Sequence, residues 1–560
     1  MGALDSASIP QMAASSFRLF ELALLAVIGV SCKREQPAPT INALPQPKVG
    51  VLDLLFTYGS EKQAWVEMVT SDFNRRGVKT GSGKAIRVTA QAKGSGDCLD
   101  EIIAGANQAH VTSPASSAFI KLGNAQWRAK TGKDLISTTE NLVLSPVVIA
   151  MWKPMAEAIG WGTKPVGWAE ILALSTELQG WAARGMPQWG AFRFGHTHPQ
   201  FSNSGLISLF AEVYAATGKQ GGLVPADLER PEVGRYLGDI ERSVVHYGSS
   251  TGFFGKKMFA NGPGYISAAV LYENMVIESS AQPLAFPIVA IYPKEGTFWS
   301  DHPAGIVERE WVTPEHRDAA RKYLDFLLAR EQQEKALALT APLDAAHGVN
   351  PKEPQTTLEV PSVETMDAVM RLWQQNKKRS NITLVMDVSG SMNERGRIAN
   401  ARIGAQELVK MLGDEDTYRL LPFSSTVFPA SPAAPLGKTR AQAMAAAGSL
   451  IANGGTALYD AIGAAYADQI AKREENRDKI SAIIVLTDGA DTDSATKLPD
   501  LLNRIRYDNE KQTIRVFTIG YDSGAQQDVL KKIADATQAK FYEGKPENIR
   551  EVFKDISTFF

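Results

Sequence analysis

Ile382-Thr383-Leu384-Val385-Met386-Asp387-Val388-Ser389-Gly390-Ser391 is an apolar, strand-like run that ends in one carboxylate and two hydroxyls at alternate positions. The pattern D-x-S-x-S at the end of a buried strand directs three oxygens into one loop. An all-oxygen nest with few carboxylates suits a hard divalent cation, because Mg²⁺ accepts neutral hydroxyl and water oxygens. Mg²⁺ is the first expectation, with Mn²⁺ or Ca²⁺ as alternatives.

Outward from that run, apolar strands alternate with helical patterns. The periodicity predicts strands over 382–386, 417–422, 480–486 and 514–519. Helices are predicted over 401–412, 439–452, 459–470, 497–506 and 527–537. Such alternation implies a doubly wound, mostly parallel α/β sheet, with ligands at the carboxyl ends of its strands. Two further loops then reach the same edge. Thr456 follows Gly454-Gly455, and Asp488 closes the run Ile483-Ile484-Val485-Leu486-Thr487 just before Gly489.

These residues resemble the von Willebrand factor type A domain and its metal-ion-dependent adhesion site, over roughly residues 378–560. The resemblance implies direct ligation by Ser389, Ser391 and Thr456, with Asp387 and Asp488 holding coordinated waters. It further implies an open metal position that a protein partner fills with an Asp or Glu carboxylate. The competing reading has Asp387 and Asp488 as helix caps, but capping does not require three convergent loops. Asp491 and Asp493 read as a solvated acidic rim.

At 560 residues the chain needs two to four domains. A net charge of -2 gives no basic face for nucleic acid. No phosphate-binding G-x-x-x-x-G-K-[ST] loop and no solenoid repeat is present.

Residues 1–32 read as an export signal: Arg18 precedes the uncharged run 22–31, which stops at Cys32. That run is too short for a stable bilayer span. The segment resembles a bacterial lipoprotein signal, which implies lipidation of Cys32 and a membrane-anchored protein in the periplasm or at the cell surface. Cleavage near Ser31 and an uncleaved anchor are the alternatives. Met1-Gly2 with Ser6 also fits a myristoylation pattern, which the neighbouring apolar run disfavours. Cys98 then has no disulfide partner and reads as a small buried residue. Residues 33–48, with four prolines, read as a linker.

Residues 49–345 alternate strand and helix again and resemble a bacterial extracellular solute-binding protein of the two-lobed, type II periplasmic kind. The stretch 55–62 looks like its opening strand-to-helix turn, and 92–96 looks like a second such turn. The stretches 144–151 and 286–297 look like the outgoing and returning crossovers between lobes. Hydroxyls and helix N-termini hold the solute in such folds. Ser60, Ser95, Gly96, Ser145, Ser202, Asn203 and Ser204 stand at suitable turns, although such residues also populate ordinary caps. His196-Thr197-His198 reads as a loop or rim rather than a metal site, since Pro199 follows and no third ligand is near. Residues 346–377 read as a linker, ahead of the final domain at 378–560.

The chain reads as a binding protein and not an enzyme, with no G-x-S-x-G elbow and no H-E-x-x-H. The leading expectation is an exported protein that docks a partner through metal and recognises a second ligand with its solute-binding-like region. The alternatives are a solute receptor of an ABC-type transporter, or a component of a metal-dependent assembly complex whose ATPase this chain does not encode.

Overall fold

The computed structural model describes residues 50–340, 343–429, 431–506, 514–521 and 526–560. The expected export signal, Cys32 and the linker over 33–48 lie outside the described residues.

The first lobe opens with β1 (Val51–Gly59), parallel to both β2 (Ala85–Lys93) and β3 (Val111–Ser113). Leu54, Phe56 and Tyr58 alternate along β1 and pack against Trp65, Val66, Val69 and Phe73 of the helix Gln63–Arg76. β4 (Ile136–Asn141) leads into β5 (Ser145–Trp152), which starts the second lobe with every residue buried. There β6 (Phe194–Gly195), β7 (Ala268–Tyr272), β5 and β8 (Ile288–Ile291) form a sheet in the order β6-β7-β5-β8. β9 (Trp299–Ser300) pairs with the first residues of β5, and β10 (Pro303–Val307) re-enters the first lobe antiparallel between β3 and β4.

The return crossing therefore falls later than the sequence suggested. Residues 286–297 hold β8 and the loop after it, both inside the second lobe. β5 is long enough to pair with β8 along its far half and with β9 at its start, so the chain crosses only at β9.

The last domain is a sheet of β11 (Ser380–Asp387), β12 (Thr417–Phe423), β13 (Ala434–Pro435), β14 (Ile480–Thr487), β15 (Arg515–Tyr521) and β16 (Phe541–Gly544). The order is β13-β12-β11-β14-β15-β16, parallel except for the short edge strand β13. β11 is buried on both faces: Ile382, Leu384 and Met386 join one apolar cluster and Val385 the other. Such two-sided burial is what a parallel sheet covered by helices requires. The α/β class, the two lobes and the mostly parallel final sheet are as expected.

The stretch 346–377 is not a free tether. Its helix Val363–Asn376 lies against the second-lobe helices Pro225–Leu228 and Pro231–Glu241, and Met366, Val369 and Trp373 are fully buried. One continuous apolar cluster runs from the second-lobe core through Trp373 to one face of the last sheet. Residues 49–560 accordingly form one compact unit.

Candidate functional site

Strand order in the last sheet reverses between β11 and β14: the chain passes from β11 to β12 on one side, then to β14 on the other. That reversal opens a crevice beyond the strand carboxyl ends. Asp387 is the last residue of β11, and Asp488 directly follows β14. The fold thus sets both carboxylates at the crevice.

Asp387 is fully buried. Its Oδ1 accepts from the Ser389 N–H at 2.7 Å and its Oδ2 from the Thr487 hydroxyl at 2.5 Å. The hydroxyls of Ser389 and Ser391 lie 3.0 Å apart, and Ser391 donates to Asp488 Oδ1 at 2.7 Å. The two turns are thereby closed into one hydrogen-bonded chain. The third loop joins through its backbone. Gly390 N–H donates to the Gly454 carbonyl at 2.8 Å, and Asn453 N–H to the Val388 carbonyl at 2.7 Å. Gly454 has φ of +89°, a conformation that a side chain would strain. Thr456 Oγ1 is 3.6 Å from the position a Cβ on Gly489 would take, so it faces the turn that carries Asp488.

Asp491 and Asp493 do more than form a rim. Asp493 Oδ2 accepts from the Thr456 N–H at 3.0 Å, and Asp491 Oδ1 from the Tyr459 N–H at 3.2 Å. Asp460 returns the bracing by accepting from the Ala495 and Thr496 N–H groups at 2.8 and 3.0 Å. These bonds hold the Gly-Gly-Thr loop in place.

Sequence reading missed Arg397. It is buried, with Nη1 2.7 Å from Asp488 Oδ2 and 3.2 Å from the Ser391 carbonyl. In the sequence it sits in Glu394-Arg395-Gly396-Arg397, which looks like an ordinary solvated charge run. Burial pushes the Asp387 carboxyl up to about 6, with Asp488 adding to the rise and the Ser389 and Thr487 hydrogen bonds opposing it. A donor set of two carboxylates and three hydroxyls, with no His or Cys, fits a hard cation such as Mg²⁺.

The solute candidates are placed differently. Ser60 Oγ accepts from the Gly252 N–H at 3.1 Å, and Gly96 N–H donates to the Phe201 carbonyl at 2.8 Å. Ser116 donates to Asn203 Oδ1 at 2.7 Å. Each of these bonds joins one lobe to the other, so the lobes are closed on themselves. Ser95 Oγ accepts from the Ala115 N–H, Ser202 meets Thr251, and Ser204 meets Thr197 and Thr251. Between the lobes lies a buried ion cluster: Lys62 Nζ is 3.0 Å from Glu61 Oε1, 2.9 Å from the Ser113 carbonyl and 3.4 Å from His302 Nδ1. Burial works against the Glu61 carboxylate, but Lys62 and His302 hold it down at about 2.

Ser145 lines a cavity of about 560 Å³ beside the interlobe crossings. Leu144, Trp299, Leu337, Leu339 and Leu343 give it apolar walls, all of them at least 38% exposed. Glu273 and Glu278 stand on its polar side, both raised by burial. His196 and His198 are buried rather than rim residues: His196 Nε2 is 3.0 Å from Glu241 Oε1, and His198 packs against Trp373.

The family described as bacterial extracellular solute-binding protein matches residues 54–336, half of the chain, and the chain belongs to it. Residues 381–555 match the von Willebrand factor type A domain, which forms its second part. No curated protein matches the chain. Among solved structures, a von Willebrand factor type A protein from Catenulispora acidiphila is 23% identical over 32% of this chain and 42% of its own, with a TM-score of 0.28. The chain thus spans less than half of that protein. The sulfate-binding protein SubI from Mycobacterium tuberculosis is 17% identical over 56% of this chain and 92% of its own, with a TM-score of 0.33. Iron-bound HitA from Pseudomonas aeruginosa is 15% identical over 58% and 99%, with a TM-score of 0.38. Among the described residues no helix is long and apolar enough to cross a membrane.

Proposed function

We propose that this is an extracytoplasmic binding protein whose last domain docks a protein partner through a divalent cation, Mg²⁺ before Mn²⁺ or Ca²⁺. Membership of an extracellular solute-binding family supports the location, and the signal ending at Cys32 supports an anchor in the membrane. The observation that carries the docking reading is the chain Asp387–Ser389–Ser391–Asp488, closed at the strand-order reversal with Thr456 beside it. Ser389, Ser391 and Thr456 would ligate directly, and Asp387 and Asp488 would hold coordinated waters. With few anionic ligands the cation keeps affinity for a partner's Asp or Glu. These groups bind and orient, and no reaction is assigned to them. The test is titration calorimetry of the full chain with Mg²⁺ or Mn²⁺. Wild type is expected to release or absorb heat that Asp387→Ala does not, and identical traces would sink the reading.

A second reading concerns a small solute, and the cavity beside the crossings favours it. Its apolar walls, with Glu273 and Glu278 on the polar side, suit a cationic ligand with an apolar body better than an oxyanion. A screen of organic ammonium compounds by thermal shift is expected to find hits that Leu337→Asp and Trp299→Ala remove. Hits confined to oxyanions, or hits indifferent to both substitutions, would return the solute to the interlobe serines.

A further inference from the structure

Gly96 and Gly252 each donate a backbone N–H across the lobes, to the Phe201 carbonyl at 2.8 Å and to Ser60 Oγ at 3.1 Å. A residue of the last domain sits over the first of these bonds. Lys554, on the helix Ile549–Ser557, places Nζ 2.9 Å from Oδ1 of Asp97, the neighbour of Gly96 in the first lobe. The same Nζ stands 5.1 Å from the centre of the Phe201 ring in the second lobe. One ammonium thus joins the donor side and the acceptor side of a single interlobe hydrogen bond.

Five residues further on, the segment is fastened to the second lobe. The buried Phe559 ring lies 5.5 Å from His246 and 6.2 Å from Phe253, and its carbonyl accepts from the Tyr247 N–H at 3.3 Å. Towards the first lobe the contact is of another kind. A cleft of about 420 Å³ remains beside the helix Ser95–Ala104, with Asp97, Asp100, Glu101, Glu551, Lys554 and Asp555 in its lining. Burial works against the Lys554 ammonium, but Asp97, Asp100 and Glu101 hold it above the ordinary lysine range, so it stays charged at neutral pH.

Opening the lobes would part Gly96 from Phe201, and Lys554 could follow only one of them. Either the ion pair with Asp97 or the contact with the Phe201 ring would then be given up. We infer that Lys554 is a pin by which the last domain holds the two lobes closed, so that opening of the solute-binding part and seating of the last domain are linked. This role requires neither a bound cation nor an occupied cavity. Lysine suits it, because a long apolar stem carries a compact charge to a carboxylate and a ring face together. Methionine would keep the stem without the charge, and arginine would keep the charge.

The test is hydrogen–deuterium exchange of the full chain, read at Gly96 and Gly252. Both stand in the first turn of a helix, where the N–H lacks an intrahelical acceptor, so the bond across the lobes is what protects it. The Val147 N–H, bonded to the Phe298 carbonyl at 2.9 Å, is the control. Lys554→Met is expected to raise exchange about fivefold at both glycines and to leave Val147 unchanged, as the loss of one partly exposed ion pair and one cation–π contact implies. Asp97→Asn, which breaks the pair with the helix of the last domain untouched, is expected to act in the same direction. Lys554→Arg is expected to follow wild type.

Unchanged exchange at the glycines in Lys554→Met overturns the inference. So does a rise at Gly96 alone, which would make Lys554 a local prop, or a rise confined to residues 549–557, which would mean that the helix itself had loosened. An equal rise at Val147 would mark general unfolding and overturns it too. Lys554→Arg behaving like Lys554→Met does the same, since the charge would then be irrelevant.

Discussion

A Cβ on Gly96 would stand 2.2 Å from the Gln200 carbonyl oxygen and 2.8 Å from the Phe201 Cα. Gly96 heads a first-lobe helix, and its N–H donates to the Phe201 carbonyl across the cleft, so only glycine permits this closure. Gly96→Val is expected to hold the lobes apart, raising the radius of gyration in small-angle scattering and costing about 1–3 kcal/mol of stability. An unchanged radius would mean that the lobes meet without this contact. At this scale legibility was uneven. Asp387, Ser389 and Ser391 were readable because a short motif lies within five residues of chain. Thr456 and Asp488 were readable because each ends or follows a recognisable pattern. Arg397 was not, since its meaning lies in a partner 91 residues away.

Among the elements, the central strands were legible because buried parallel strands are nearly uninterrupted apolar runs. β13 has two residues, and β16 has four at a sheet edge, so neither carries enough periodicity to be read. The final helix Ile549–Ser557 also escaped, although Val552, Phe553 and Ile556 form a buried stripe at helical spacing. The helix Val363–Asn376 lies in a stretch that reads as a linker. Its charged face looks solvated in the sequence, whereas Trp373 on the opposite face donates its indole N–H to the buried Glu241 Oε1 at 2.9 Å, 132 residues away. A linker and a docked helix share the same local pattern. What separates them is an acceptor that the local pattern does not contain.

Across the whole molecule, the last domain is joined to the second lobe by groups that titrate. Tyr247 N–H donates to the Phe559 carbonyl at 3.3 Å, and Lys377 Nζ donates to the Phe560 carbonyl at 2.9 Å. His246 packs against Phe559, and burial holds its imidazole well below the usual histidine range, with Arg515 adding to the depression. A base whose folded value is depressed contributes stability that is present above about pH 6.5 and lost as pH falls below it. His196 acts in the opposite sense: burial opposes its proton, but Glu241 keeps its value raised. The buried Glu212 carboxyl, raised to about 8, and the half-buried Asp100 carboxyl, raised to about 6, also gain on the acid side. The contribution of His246 is therefore read as a difference. Melting temperatures of wild type and His246→Gln are expected to move relative to each other between about pH 7 and pH 5, with wild type losing more on the acid side. Parallel profiles would assign the acid response to other groups. The ion pair Lys554–Asp97, 2.9 Å long but partly exposed, joins the last domain to the first lobe instead and adds no more than about 1 kcal/mol there.

Residue order by itself determined that the chain holds two α/β parts, that the second gathers five oxygen-bearing side chains at strand ends, and that glycines shape the loops between them. Periodicity and short motifs are local properties, and local properties survive in a linear string. Tertiary structure alone decided that an arginine neutralises one of the two carboxylates, that the candidate solute-binding serines are engaged with backbone N–H, threonine and asparagine groups, and that the stretch before the last domain is docked. Each of these depends on which distant groups share a buried, weakly screened space, where one charge or one methyl group changes the outcome.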